Sequence, residues 1–342
     1  MRRLRGRTAL NGVQRALERM VEAGYGPGLF ARVTQDGVEQ VTAAAGAADL
    51  ADSRPISPTD RFRIGSITKA FVATVVLQLV AEGRIAVEDP VGGWLPEYPL
   101  HPELTLGHLL ALRSGLPCYT GALIGNPPDW RVLDRYHAPE DLVRLALTLD
   151  GHTPPGLAHR RSSTDYLLLG LVVEWVTGQR LDAQVWQRII APLQLRDTYF
   201  PTVDPTLRGR HAAGYVRCDG RYRPCPEVTP SQSWASGAMV STPADLARFF
   251  DALLDGELLP PDQLAAMRAA VAIDDQHGYG YGLHRFRFDD GTVGFGHYGV
   301  APGYESLVVR IDTGRTVVLY RNSFDKASPL PWNNLVMSAA RG

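Results

Sequence analysis

Ser66 and Lys69 stand three residues apart in the stretch GSITKAF, and Lys69 is one of only two lysines in the 342-residue chain. Nearly every other cationic side chain is arginine, which cannot give up its proton, whereas a lysine amine can when its surroundings disfavour the charge. The residues that follow are apolar at helical spacing: Ala70, Phe71, Ala73, Val76, Leu77, Leu79 and Val80. That pattern predicts a helix with Ser66 at its start and Lys69 one turn further on the same face. The positive end of the helix dipole and burial under the apolar run both favour the neutral amine. A neutral amine beside a serine hydroxyl is a base beside a nucleophile.

Spacing alone also fits a plainer role, because Ser and Thr are common at helix starts and a first-turn lysine is commonly solvated. The chain holds a second Ser-x-x-Lys, Ser323 to Lys326, but that copy follows a strand-like run and precedes ASPLPW, so no long apolar helix follows it. Chemistry at Ser66 therefore depends on what else the fold brings to it.

The elements that must do so are readable in outline. A basic amphipathic helix opens the chain, and GLFARVTQDGVEQVTAAAG alternates about a QDG turn as a β-hairpin. From about 90 to 230 the chain is irregular and helical, with connections such as GNPPDW and HTPPG. Its clearest helix is STDYLLLGLVVEWVTGQ, with Ser162 to Thr164 as cap candidates. STPADLARFFDALLDGELL carries a capping signature. Strands return in YGYGLHRFRF, GTVGFGHYG, YESLVVRI and RTVVLYRN before a short terminal helix. Strands at both ends around a helical middle predict an α+β fold, with an antiparallel sheet built from both termini and flanked by helices. The expected division is 1–90 plus 230–342 as the sheet region and 91–229 as an inserted, mostly helical region, with a cleft between them.

Composition narrows the function classes. A formal net charge of -1 without long runs of one sign points away from nucleic acid. No segment has the apolar length to span a bilayer. The basic start, MRRLRGRT, lacks an apolar stretch and a small-residue cleavage site, so the expectation is a cytoplasmic protein. Cys118, Cys218 and Cys225 read as reduced thiols, although CDGRYRPC could bring the last two together. Nine scattered histidines show no ligand spacing, so no metal or other cofactor is expected.

Several ordered segments together resemble the serine β-lactamase and penicillin-binding-protein superfamily. The branch is that of class C β-lactamases, D-alanyl-D-alanine carboxypeptidases and related esterases and transacylases. FRIGSITKAF resembles the nucleophile motif, LTLGHLLALRSGLP the helix and loop that follow it, SGAMVSTPADLARF a later framework segment, and GHYGVAPGYES the third motif with His297 and Gly299 in place. Leu112 and Arg113 replace a usual His-Thr pair. The resemblance runs from about residue 15 to 325 and implies a β-lactamase/transpeptidase-like fold. It also implies that Ser66 is the nucleophile and Lys69 its partner, and that Ser323/Lys326 is a coincidence.

The second motif departs from the family. A Tyr-x-Asn is usual just before the YLLLG helix, and here Arg161 takes the Tyr position and Ser163 the Asn position. The family tyrosine is implied to shuttle protons. Arg161 cannot, which leaves Lys69 as the base; losing a general base costs roughly 10²–10⁴ in rate. Arg161 would instead bind a substrate carboxylate or stabilise negative charge, or form a salt bridge on the rim. The resemblance further implies the backbone N–H groups of Ser66 and Val300 as oxyanion donors, and His297 lining the cleft opposite Lys69. Trp234 and Tyr298 would supply apolar walls or core, and Gly299 would allow close backbone approach.

The expected activity is that of a serine acyl-enzyme catalyst acting on a small-molecule ester or amide donor. It would deliver the acyl group to water or to an amine or alcohol acceptor. Hydrolysis and transfer are not separated by the sequence, nor is the oligomeric state. Intracellular esterases and transacylases of natural-product assembly occur in this superfamily, and the altered second motif fits such a specialised role, antibiotic biosynthesis included. The rival is a binding protein that keeps the cleft and has lost turnover. Retention of Lys69 argues against it, since a binding site could use arginine equally well.

Overall fold

The computed structural model describes residues 2–125, 129–325 and 329–341. Residues 126–128 of the GNPPDW connection and Lys326 of the second Ser-x-x-Lys lie outside the described residues. Ser323 of that copy is fully buried in the short strand Ser323–Phe324, not at a helix start.

Among the described residues the main sheet has nine strands, and its order explains how the two ends of the chain build one layer. The hairpin Gly28–Gln35/Val38–Asp49 turns at Asp36 and Gly37, both with positive φ, as a two-residue Asp-Gly turn requires. Gly28–Gln35 then pairs with the late strand Arg315–Arg321, with Leu29 opposite Arg321. Tyr304–Ile311, Val293–Ala301, His284–Arg287, His277–Tyr279 and Val271–Ala272 follow outward, each antiparallel to its neighbour. The fold is α+β with a large antiparallel sheet drawn from both ends of the sequence.

Strand alternation sends side chains to two different cores. Leu29, Ala31, Val33, Leu307, Val309, Val317 and Leu319 face the side covered by the helices Arg2–Glu22 and Trp332–Arg341. Phe30, Val308, Val318 and Tyr320 face the larger core. That core surrounds the helices Thr68–Ala81 and Ser163–Thr177, whose faces are apolar nearly all round, as suits central helices. The region 91–229, expected to be mostly helical, also holds strands. A hairpin, Tyr215–Cys218 with Arg221–Pro224, pairs with Ser323–Phe324 in a small second sheet. Cys118, Cys218 and Cys225 are all free.

Candidate active site

The turn carrying Ser66 is a single 3-10 turn, Gly65–Ile67, running directly into the helix Thr68–Ala81. It is held from two sides. The framework segment donates the Met239 N–H to Thr68 Oγ1 at 3.2 Å, and Val240–Ser241 pairs with Phe62–Arg63 just before the turn. On the other side the third-motif strand presses against it. Gly65 has φ +51, and a Cβ there would stand 2.3 Å from the Val300 carbonyl oxygen and 2.7 Å from its nitrogen. A Cβ on Gly299 would meet the Ile64 oxygen at 2.2 Å. Only glycine at both positions lets the two backbones come this close.

Lys69 is 4% exposed, and its Nζ lies 3.0 Å from Ser66 Oγ. The amine donates to the Ser236 carbonyl at 2.6 Å and sits 5.4 Å from the centre of the Tyr166 ring. Burial first, and the charge of Arg161 second, push its pKa down to about 7, while Cys118 and Asp165 pull it back up. One N–H is thus tied to the framework carbonyl, and the lone pair of the neutral amine is free to accept the Ser66 proton.

Arg161 is exposed at the approach to this buried centre. It forms no hydrogen bond or ion pair with another described residue, yet its charge acts on Lys69, His297, His284 and His159. The rim salt bridge, one of the three roles open to it from sequence, is therefore not made among the described residues. Ser163 opens the helix Ser163–Thr177 and donates its N–H to Cys118 Sγ at 3.4 Å. Ser162 is the residue before the helix, and it caps no backbone N–H with its side chain.

His297 is 2% exposed, and its hydrogen bonds assign its state. Nδ1 donates to the Tyr298 carbonyl at 2.6 Å, so Nε2 accepts from Tyr279 Oη at 3.0 Å. Burial, then Lys69, hold its pKa down to about 3. It is a neutral, fixed imidazole. Val300 is 37% exposed and lies in register with Glu305. Tyr298 points to the other face of the same strand, paired with Leu307 and packed edge-on to Phe286 at 5.2 Å. Trp234 is buried in the turn Trp234–Ser236, with its ring against Gly170 of the long helix. Ser66, Lys69, Gly299 and Val300 therefore meet at one place, with His297 and Arg161 within electrostatic reach, while Trp234 and Tyr298 are committed to packing.

No described tyrosine near the lysine is placed to stand in for the family phenol. Tyr119 donates to the Gln232 carbonyl, Tyr166 to the Leu110 carbonyl and Tyr279 to His297, and burial raises the pKa of all three. Among the described residues no cluster of His, Cys, Asp or Glu could hold a metal ion, and no helix is long and apolar enough to cross a membrane.

Sequence reasoning missed two groups. The Ser236 carbonyl carries no side-chain signature and was legible only as part of the SGAM framework segment. Asp165, fully buried in the first turn of the long helix, accepts from Ser114 Oγ at 2.7 Å and has its pKa raised to about 8, by burial above all. An acidic residue at a helix start ordinarily signals an exposed position, so nothing in the pattern pointed to burial.

Comparison with known proteins gives a consistent picture. A family model described as Beta-lactamase matches residues 13–340. The esterase EstB of Burkholderia gladioli is 31% identical over 305 residues, covering 77% of this chain and 76% of that protein. Penicillin-binding protein 4* of Bacillus subtilis is 24% identical over 312 residues, covering 86% of this chain and 67% of that one. Among solved structures, a D-stereospecific amidohydrolase from Streptomyces sp. superposes with a TM-score of 0.84 at 33% identity, over 92% of this chain and 94% of that chain. D-amino acid amidase from Ochrobactrum anthropi SV3 gives 0.88 at 27% identity, over 97% and 98%.

Proposed function

The chain belongs to the β-lactamase family and is an enzyme of its serine hydrolase or acyltransferase type, and from that premise we propose that it hydrolyses a small ester or amide whose acyl part carries a carboxylate. The observation that carries the reading is the buried pair itself, Ser66 Oγ 3.0 Å from a Lys69 amine brought to about pKa 7. Ser66 attacks the carbonyl carbon and its proton passes to Lys69. The oxyanion forms against the backbone N–H groups of Ser66 and Val300, and Lys69 returns the proton to the leaving group. Water then enters by the same route in reverse and releases the acid. An amine or alcohol in place of water makes the same acyl-enzyme a transacylase, the form that would serve natural-product assembly.

Arg161 supports the carboxylate. It is exposed and without an ion-pair partner among the described residues, and guanidinium suits bidentate binding of a carboxylate. The relatives named for D-amino acids act on substrates with an amine, but here the local carboxyls are engaged: Asp165 is buried, and Glu305 is held by Arg321. A substrate ammonium would meet the charge of Arg161, and neither of these two carboxyls is free to pair with it.

The test pairs a reactive serine probe with activated esters of a dicarboxylic acid, of an uncharged acid of equal length and of an amino acid. Intact mass should show one label, lost in Ser66→Ala. kcat/KM should favour the dicarboxylate ester by about tenfold or more, the worth of one charge-assisted hydrogen bond. Labelling that survives in Ser66→Ala refutes the nucleophile, and a preference for the aminoacyl ester refutes the substrate class.

A further inference from the structure

We propose that Asp165 is a positioning residue for this reaction: a buried carboxylic acid that keeps its proton at neutral pH, offers Lys69 no counter-ion, and so leaves the amine free to receive the proton of Ser66. The inference rests on Ser66 and Lys69 being the reacting pair.

The geometry comes first. Asp165 is fully buried, its Oδ1 accepts from Ser114 Oγ at 2.7 Å, and its Oδ2 has no hydrogen-bond partner among the described residues. Among the described residues no salt bridge reaches it. An ionised carboxylate without donors at one oxygen is expensive in such a place, whereas a neutral acid is not. The neighbouring residue on the helix, Tyr166, lies beneath Lys69 Nζ, which puts the acid close enough for each charge to act on the other.

The electrostatics agree in direction. Burial pushes the carboxyl up to about 8, against the hydroxyls of Ser114 and Ser162 and the charge of Lys69, all of which favour ionisation. Burial and Arg161 push the amine down to about 7. One shift is upward and the other downward, and both favour a neutral acid beside a neutral amine. The other titratable groups facing the pair are Cys118, Tyr166, Tyr279 and His297, the last a neutral imidazole. During acylation the Ser66 O–H bond breaks as its oxygen bonds the carbonyl carbon, the proton moves to Lys69 Nζ and then to the leaving group, and Asp165 keeps its own proton throughout.

Two readouts test this. Infrared difference spectra of substrate-free wild type against Asp165→Asn should show a protonated carboxylic acid C=O band at neutral pH that titrates away above about pH 8. In Ser114→Ala, which removes a donor to the ionised form, the band should persist to higher pH. Asp165→Asn, an isostere of the neutral acid, should keep its activity and its acid limb of kcat/KM in place, whereas loss of an ionised counter-ion would move that limb to lower pH by about one unit or more. Absence of the band, an acid limb moved to lower pH by about one unit or more, or loss of activity in a folded Asp165→Asn protein overturns the proposal. The infrared arm needs no turnover, so a protein with the band but no acylation at Ser66 refutes the catalytic reading and leaves the buried acid established.

Discussion

Arg161 stands where the family resemblance implies a proton-carrying tyrosine, and its charge reaches the Lys69 amine that would take over that function. Two consequences can be separated by one variant. Arg161→Gln removes the second-largest influence lowering the Lys69 pKa, so the acid limb of kcat/KM should move to higher pH. The same change removes the proposed carboxylate contact, which is present before and during reaction, so KM for a dicarboxylate ester should rise about tenfold with kcat at the plateau little changed. A pH–rate profile for charged and uncharged esters measures both, and an unmoved limb would place Arg161 outside the electrostatics of the site. At this scale the sequence was informative where chemistry restricts residue type. A lysine among arginines, and His-x-Gly at 297–299, pointed to residues that do converge. It was uninformative where orientation decides: nothing in GHYG says that Tyr298 faces the terminal helices, or that the Asp165 carboxyl is buried instead of solvated.

The nucleophile turn is an element squeezed between two backbones, and its position matters more than its own side chains. Gly65→Ala would place a methyl 2.3 Å from the Val300 carbonyl at a φ of +51, so the turn or the strand must move apart. That movement separates the two proposed oxyanion donors while leaving Ser66 beside Lys69. The expected result is a fall in kcat of roughly 10²–10³, the loss seen when one oxyanion donor goes, with probe labelling slowed in parallel and the circular dichroism spectrum kept. Near-wild-type kcat would show that Val300 is not a donor. The strands that build this contact were legible because their hairpins alternate cleanly about turn residues, as at Asp36-Gly37. The small sheet around 215–224 was not, because RYRP offers no apolar face and the strand that pairs with Tyr215–Cys218, Ser323–Phe324, lies about a hundred residues away. The Trp234 contact with Gly170 is likewise non-local, and periodicity carries no information about it.

Across the whole molecule the site should leave a mark on stability, and its sign can be worked out. Asp165 has a folded pKa of about 8 against an ordinary carboxyl value of 3.8, so between those values the native state holds a proton that the unfolded chain has released. Stability from this group is full below about pH 4 and is lost as pH rises through 8. Lys69 is the reverse: with a folded pKa of about 7 against 10.5, the native amine is neutral where the unfolded one is charged. Its burden is largest below about pH 7 and is relieved as pH rises towards 10.5. The two slopes oppose each other, falling on the acid side and rising on the alkaline side, and the pair costs most stability near pH 7 to 8, the range in which a neutral Lys69 becomes available for catalysis. The double variant Lys69→Met, Asp165→Asn removes both titrations. Its unfolding free energy minus that of the wild type, measured by denaturant titration from about pH 5 to about pH 9, should peak near pH 7 to 8 and shrink on both sides, with slopes approaching about 1.4 kcal/mol per pH unit in the steepest regions. Groups common to both proteins cancel in that difference. A flat difference would mean that neither group changes its proton affinity on folding, and a single slope would show that only one of them does.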